Sequence, residues 1–283
     1  MKNSNQLKNI KVMTMVRNDR FLPKWVEHYS RELGRENLIV FFDGEDQTVP
    51  EYCEGVETHL IPKMKGDVVS TDHQRSRFMS QHASELFSKG VDMVIATDAD
   101  EMLLIDPIRN QTLREYLSGC KTYPCMSGLG VDVLQQVPGE APIDFNKPFL
   151  SQRGRGWLHA RYTKPSIITK PLTWGGGYHR VKGHNYHIMP DLYLFHFGGV
   201  DQESLRDISS ESNRVANGWL RHQLKRQRDL HQLSAIDAQE WDKAVTKALY
   251  MQKLIRPIFA LNKPSTLGIK IVGKIPDRFK NLI

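Results

Sequence analysis

The sequence predicts an α/β protein with a mostly parallel sheet flanked by helices. Short apolar runs at 10–16, 37–42 and 93–96 have the composition of strands that are buried on both faces of such a sheet. Between the first two runs, residues 21–33 carry apolar side chains at helical spacing, so that strand, helix and strand form a βαβ unit. Polar or acidic residues follow each of the three runs. This position is the sheet edge at which open α/β folds bind ligands.

The remaining elements of the first half follow from the same patterns. A weaker strand is predicted at 56–61. The polar residues at 70–72 are predicted to cap a helix over 73–88, which Gly90 ends. That helix leads directly into the apolar run at 93–96.

Residues beyond 107 have a looser pattern. A strand is predicted within 122–134, followed by a long loop over 137–156 that is rich in proline, glycine and charged residues. Short strands are predicted at 166–170 and 192–197, on either side of a glycine-rich turn. Most of 203–255 is predicted to be helical.

Composition restricts the class of protein. The chain has 283 residues, of which 40% are hydrophobic and 25% are charged, as is typical of globular proteins. It contains no apolar run of the roughly 18 residues that a membrane-spanning helix needs. The first residues lack the apolar core of a secretion signal, and the three cysteines lack zinc-site spacing. We therefore expect a cytoplasmic protein in a reducing compartment.

The charge balance indicates a negatively charged partner. The formal net charge is +7, which suits a nucleotide, a nucleic acid or an anionic membrane. Basic residues are concentrated at 214–228, and the segment from Lys253 onward mixes Lys and Arg with apolar residues. Charge alone does not choose among these partners.

An acidic cluster follows the apolar run at 93–96. Asp98, Asp100 and Glu101 lie within a few residues of one another, and in an extended segment Asp98 and Asp100 point to the same side. Two carboxylates held so close repel each other unless a cation lies between them, and oxygen ligands suit Mg²⁺ or Mn²⁺. The alternative is a solvated turn after the strand. The buried strand before the cluster and the third acid beside it favour the metal site.

Several motifs together resemble those of a known enzyme family. The matching residues lie at the ends of the predicted strands and on the first helix, and they are Val16, Arg17, Asn18 and Asp19, then Trp25, Glu27 and His28, then Phe42, Asp43 and Gly44, then Thr97, Asp98, Ala99, Asp100 and Glu101, and finally Leu194, Phe195 and His196. In these motifs the chain resembles the GT-A glycosyltransferases, particularly bacterial proteins of glycosyltransferase family 2. The resemblance covers roughly the first two hundred residues and implies a GT-A-like, Rossmann-like fold.

The resemblance also implies a domain organisation. Residues 1–202 are expected to form a nucleotide-sugar-binding and catalytic domain, with a donor half at 1–107 and an acceptor half at 108–202. Residues 203–283 are expected to form a mostly helical C-terminal extension packed on that domain.

The resemblance further implies a nucleotide-sugar donor and a divalent metal, Mn²⁺ or Mg²⁺. The donor would be linked to UDP or GDP. The implied donor-binding residues lie in the loops after the strands, and they are Val16, Arg17 and Asn18 near the base, Asp43 at the base or ribose, and Asp98 at the ribose and the metal. Asp100 would be a direct metal ligand, in the manner of a DXD motif. His196 resembles a late histidine ligand of the same metal, although a core histidine bonded to backbone fits the sequence equally well.

Two arginines and two candidate bases complete the predicted site. Arg75 and Arg77 can donate to a pyrophosphate, although a solvated helix surface is the alternative reading of their spacing. Family 2 enzymes usually carry a Glu-Asp pair that supplies the base, and no such pair follows the metal motif here. The base is therefore open between His179, beside a flexible glycine turn, and Asp132.

The sequence thus predicts a metal-dependent, hexosyltransferase-type glycosyltransferase acting on a hydroxyl of a glycan or glycolipid in surface polysaccharide biosynthesis. Inversion is the favoured outcome. A nucleotidyltransferase is the first alternative, but residues 16–19 lack the glycine that its phosphate loop requires. A basic nucleic-acid-binding protein using 214–228 is the second, and because no reader motif accompanies this segment we expect no nucleic-acid partner. Peripheral contact with an anionic membrane, at the inner face of the cytoplasmic membrane, is compatible with the enzyme.

Overall fold

The computed structural model describes residues 7–17, 20–200, 219–255 and 263–283, without the side chains of 219–225 and 227. The chain divides into two compact units. Unit one consists of Met1–Gly128 and Lys164–Tyr193, and unit two consists of Leu129–Thr163 and Leu194–Ile283. Both contain strands and helices, so the predicted α/β class is confirmed. The predicted boundaries at 107 and 202 stay a prediction.

Unit one is built on a parallel sheet. Strands β1 (Ile10–Val16), β2 (Leu38–Asp43), β3 (Glu57–Ile61) and β4 (Met93–Ala96) pair in the order β4-β1-β2-β3, and every pair is parallel. Side chains on β1, β2 and β4 are buried almost throughout, as expected for strands covered on both faces. Since parallel strands end at the same sheet edge, the residues after β1, β2 and β4 share one edge, which confirms the prediction.

Two helices flank this sheet. Helix α1 (Leu22–Leu33) begins with proline in its first turn, and its Trp25 donates from Nε1 to Thr97 Oγ1 at 2.9 Å. Helix α2 (Val68–Ser88) begins five residues earlier than predicted, because Asp67 and not the polar group at 70–72 is the cap. The Asp67 side chain accepts the backbone N–H of Ser70 at 2.7 Å.

A strand that the sequence did not predict follows the acidic cluster. Strand β5 (Glu101–Ile105) is wholly buried and pairs with β9 (His187–His196). Leu103 anchors it to α1, because its carbonyl bonds to His28 Nε2 at 2.8 Å and its N–H donates to the Tyr29 hydroxyl at 3.0 Å. The acidic cluster is therefore a tight connection between two buried strands.

The rest of unit one is short. Helix α3 (Leu113–Gly119) is capped reciprocally by Thr112 and Glu115. The next strand, β6 (Cys125–Leu134), runs from unit one into unit two. Strand β8 (Ile167–Ile168) pairs antiparallel with β4 and with the first residues of β6.

Unit two contains antiparallel strands and three α-helices among the described residues. The second part of β6 pairs with β7 (Arg155–Leu158), and β7 pairs with β10 (Val272–Lys274). The helices are α4 (Phe149–Gln152), α5 (Trp219–Ser234) and α6 (Trp241–Leu254). The predicted loop at 137–156 thus contains a helix and the start of a strand. Residues 203–218 of the predicted helical extension lie outside the described residues.

The apolar core of unit two lies between β6, α5 and β10. Leu134, Leu230, Leu233 and Val272 form this buried cluster. Gly130 permits a close backbone approach, because a Cβ atom there would lie 2.3 Å from the backbone nitrogen of Thr163. Within the parts of the chain that the structure describes, no helix is long and apolar enough to cross a membrane.

Candidate active site

Asp98 is the centre of a charged cluster in unit one. It follows β4, and its Oδ1 lies 3.3 Å from Arg75 Nη1 on α2. Its Oδ2 lies 3.1 Å from the ammonium of Lys164, just before β8. The same ammonium lies 2.6 Å from Glu101 Oε1. Lys164 therefore bridges two of the three acids that the sequence analysis singled out.

The opposite charges in this cluster stabilise one another's ionised forms. Burial raises the pKa of Asp98, but the positive charges of Lys164 and Arg75 outweigh burial and lower it overall. Burial lowers the pKa of Lys164, and the carboxylates of Glu101 and Asp98 more than compensate, so that it is raised. Asp98 is therefore ionised and Lys164 protonated at neutral pH.

Asp100 and Glu101 bring two further carboxylates to this edge of the sheet. An oxygen of Asp100 lies within 4.8 Å of one of Glu101. The Asp100 side chain is partly exposed, whereas Glu101 is 1% exposed. Clustered carboxylate oxygens at a solvent-reachable sheet edge are the donor set that Mg²⁺ and Mn²⁺ prefer. Asp100 and Glu101 therefore bring oxygens of the kind that suit a divalent cation, while Lys164 holds Glu101 inside and Asp98 contacts Arg75 and Lys164.

The residues after β1 and β2 form a second group at the same edge. Arg17 donates to the Asp43 carbonyl at 2.7 Å and makes a two-pronged ion pair with Asp46 at 2.7 and 3.0 Å. Asp43 Oδ1 accepts the Met64 N–H at 2.7 Å. Val16 is buried. The predicted residue Asn18 lies outside the described residues.

Arg75 and Arg77 differ in their surroundings. Residues two apart on a helix face different directions, and Arg77 is exposed while Arg75 contacts Asp98. Of the two arginines predicted to reach a pyrophosphate, the structure places Arg75 in the charged cluster.

The glycine turn brings His179 toward the same cluster. Gly177 has φ 58°, and a Cβ atom there would lie 3.1 Å from His179 Nε2 and 3.8 Å from Asp72 Oδ2. The charge of His179 is one of those that lower the pKa of Asp98. Its neighbour Tyr178 also has a positive φ, 57°, which is uncommon for a bulky residue. The turn is therefore held in a strained conformation beside Asp98.

Tyr178 itself is almost completely buried. Its hydroxyl has no hydrogen-bond partner among the described residues. Burial raises its pKa, and the charges of Arg75 and Asp98 act on it in opposite directions. The hydroxyl is therefore protonated, and it lies close to the cations of the cluster.

A second polar cluster lies in unit two and joins Asp132 to His196. Asp132 Oδ1 lies 2.7 Å from His196 Nδ1 and 3.1 Å from Arg226 Nη2 on α5. The ring of Tyr162 stacks on His196 with centroids 3.9 Å apart, and its hydroxyl accepts from Arg226. A Cβ atom at Gly199 would lie 2.4 Å from Arg226 Nη2, so glycine leaves the space that the guanidinium occupies.

The electrostatics of this second cluster oppose a role for Asp132 as base. Burial raises the pKa of Asp132, but the charges of Arg226 and His196 and the hydrogen bond from His196 lower it well below its usual range. A carboxylate of such low basicity is a weak proton acceptor. The same contact fixes His196, and an acid bonded to one ring nitrogen is the usual partner of a metal-binding histidine, which then ligates through the other nitrogen.

Sequence reasoning missed five residues of these clusters. They are Asp46, Tyr162, Lys164, Tyr178 and Arg226. Lys164 and Arg226 lie far along the chain from their acids, and no local spacing marks them. Arg226 belongs to the basic segment at 214–228, and its contact with Asp132 shows that this arginine serves an internal ion pair.

Comparisons with known proteins find similarity among solved structures. No family model matches the chain, and no curated protein matches it. Among solved structures, it is similar to a mannosyltransferase from Pyrobaculum calidifontis in complex with GDP-Man and Mn²⁺, at 11% sequence identity and a TM-score of 0.39. The matched region covers 78% of this chain and 65% of that chain.

Proposed function

We propose that this chain is a divalent-metal-dependent glycosyltransferase that moves a sugar from a nucleoside-diphosphate sugar to a hydroxyl group. The observation that carries the proposal is the cluster at the carboxyl edge of the parallel strands, where Asp98 lies between the cations of Arg75 and Lys164 and Asp100 follows two residues later, close to Glu101. Transfer from a nucleoside diphosphate requires carboxylates that hold a metal ion. It also requires neighbouring side chains that can hold phosphate oxygens.

Asp98 and Asp100 are the proposed metal ligands, and His196 is the proposed third ligand. A metal ion bound there supplies Lewis-acid stabilisation to the departing diphosphate. Arg75 adds a charge-assisted donor to the same oxygens. Asp132 has a positioning role in this proposal, because its contact with His196 Nδ1 leaves Nε2 as the ligating atom.

The donor nucleotide is proposed to lie over the ends of β1 and β2. The backbone of Val16, the Arg17 guanidinium and the Asp43 carboxylate would contact its base and ribose, together with Asn18. UDP and GDP are the proposed nucleotides. The ion pair of Arg17 with Asp46 supports this placement by fixing the loop that follows β2.

His179 is the proposed general base. It is partly exposed, it follows the glycine turn, and it lies near Asp98. An imidazole can accept a proton from an acceptor hydroxyl near neutral pH. Direct displacement assisted by such a base inverts the configuration of the transferred hexose. The proposed acceptor is a glycan or glycolipid of a surface polysaccharide pathway, and the proposed location is the cytoplasm.

The proposal includes peripheral contact with an anionic membrane, which is where a lipid-linked acceptor would lie. On α6, Lys243, Lys247, Tyr250 and Leu254 are exposed and share one face of the helix. Cations beside exposed apolar side chains suit an anionic lipid surface. Co-sedimentation should be stronger with vesicles that contain phosphatidylglycerol than with phosphatidylcholine alone. Equal sedimentation with both vesicle types would remove this part of the proposal.

The decisive experiment is thermal unfolding with UDP, GDP and other nucleoside diphosphates, each with and without Mn²⁺. A ligand that binds only the folded chain raises the midpoint by mass action. We expect one nucleotide to raise it only with metal, and Asp100→Ala to lose the shift. Asp242→Ala, which changes an almost fully exposed carboxylate in unit two, is the matched control and should retain it. No shift with any nucleotide would overturn the proposed function.

A further inference from the structure

Both carboxylate oxygens of Asp98 contact a cation. Oδ1 lies 3.3 Å from Arg75 Nη1, and Oδ2 lies 3.1 Å from Lys164 Nζ. Asp98 is also a proposed metal ligand. A metal ion that binds Asp98 must therefore displace one of these cations or share an oxygen with it, and either arrangement opposes the binding of metal alone.

The two cations differ in how firmly they are held. The Lys164 side chain is 4% exposed and also lies 2.6 Å from the buried carboxylate of Glu101. The Arg75 side chain is 31% exposed, and its contact with Asp98 is the longer of the two. Lys164 is thus fixed between two acids, whereas Arg75 can turn toward solvent and toward a ligand.

A diphosphate offers Arg75 another partner. Its oxygens accept charge-assisted hydrogen bonds in the same geometry as a carboxylate. If Arg75 turns to a bound diphosphate, Asp98 Oδ1 loses its cation and becomes a better metal ligand. If a metal ion binds Asp98 first, Arg75 is repelled and becomes available to the diphosphate.

We propose that Arg75 exchanges partners between Asp98 and a diphosphate, and that this exchange makes the metal ion and the diphosphate bind with positive coupling. The inference rests on the proposed function, because it assumes that both ligands bind at this cluster. Coupling of this kind is reciprocal, so each ligand strengthens the binding of the other by the same factor. Lys164 keeps its place on Glu101 throughout.

The variant Arg75→Gln distinguishes two roles of Arg75. In one, Arg75 exchanges partners between Asp98 and a diphosphate, and in the other it only holds Asp98 in place. Removing the cation should strengthen the binding of Mn²⁺ alone, on the order of threefold to tenfold, because the ion no longer competes with a guanidinium. It should weaken the binding of UDP or GDP in saturating Mg²⁺ by about tenfold, because a donor to the phosphates is lost. These opposite changes from one substitution are the specific expectation.

The experiment uses the full chain and two readouts that need no turnover. The electron paramagnetic resonance signal of unbound Mn²⁺ measures metal binding without nucleotide, and isothermal titration with UDP and GDP in Mg²⁺ measures nucleotide binding. Arg77→Gln is the matched control, since Arg77 is an exposed arginine on the same helix, and it should change neither affinity.

Each result supports or overturns the inference. If Arg75→Gln weakens Mn²⁺ binding, Arg75 merely supports Asp98 and the exchange is wrong. If Mn²⁺ binding is unchanged, Arg75 does not compete with the metal and the exchange is also wrong. If the parent binds neither nucleotide in Mg²⁺, the proposed function fails together with the inference.

Discussion

Each unit of this protein holds one carboxylate between two nitrogen-bearing side chains, but the two arrangements are built differently. In unit one, Asp98 is 28% exposed and lies between Arg75 and Lys164. In unit two, Asp132 is 5% exposed and lies between Arg226 and His196. A ligand can therefore reach Asp98, while Asp132 is enclosed by its partners. We therefore propose that the first cluster binds ligands and that the second holds a histidine in place.

We expect the stability of unit one to depend more on Lys164 than the stability of unit two depends on Arg226. Lys164→Met leaves the carboxylate of Glu101, which is 1% exposed, without the cation that neutralises it. Removing one partner of a buried ion pair typically costs about 3–5 kcal/mol. We expect a loss of this size in the free energy of unfolding, measured by urea denaturation at neutral pH.

The double variant Lys164→Met with Glu101→Gln checks the cause of that loss. Because both charges of the buried pair are removed, most of the lost stability should return. If the double variant is as unstable as Lys164→Met, packing of the lysine stem and not the charge of Glu101 explains the loss.

The strands and the acids of unit one were readable from the sequence for a physical reason. Strands β1, β2 and β4 are covered on both faces, so nearly every residue must be apolar, and composition alone reveals them. Asp98 and Asp100 were recognisable because they directly follow such a strand. In both cases the signal is local, which is why short-range patterns sufficed.

The residues that complete each cluster could not be predicted from the sequence, because they lie far along the chain from the residues that they contact. Lys164 is 66 residues from Asp98, and Arg226 is 94 residues from Asp132. Strand β5 was missed for a related reason, since it begins at Glu101 and an acidic residue suggests a solvated turn. Glu101 is buried in contact with Lys164, and that contact depends on the tertiary fold.

Arg226 should matter less to stability than Lys164, and its effect should depend on pH. Arg226→Met removes one of the two partners of Asp132, and we expect a loss of about 1–3 kcal/mol at neutral pH. The folded-state pKa of Asp132 is lowered. Its ion pairs therefore stabilise the fold above the unfolded pKa, near about 4, and this stabilisation is lost as the pH falls through the folded pKa.

Urea denaturation of parent and Arg226→Met at several pH values between about 7 and 3 measures this effect. Groups away from this cluster titrate alike in the two proteins, so the difference between them reports on Asp132 and on His196, which both contact Arg226. The difference should be constant near neutral pH and should narrow in acid, where Asp132 becomes protonated in folded Arg226→Met at a higher pH than in the folded parent. A difference that stays the same down to the lowest pH would show that Arg226 stabilises by packing on Tyr162 and not through Asp132.

A substitution at Gly199 disturbs the contact between Arg226 and Asp132 less strongly, because it removes no charge. A methyl group at this position would lie 2.4 Å from Arg226 Nη2, and since the flexible end of the side chain can move aside, Gly199→Ala should cost only about 1 kcal/mol. The control Gly154→Ala adds a methyl group that meets no atom within 4 Å. In the Arg226→Met background the cost of Gly199→Ala should disappear, because no guanidinium remains to be displaced. If Gly199→Ala lowers stability equally in Arg226→Met, the added methyl group does not act on Arg226. Gly199 would then have no part in holding Arg226 on Asp132.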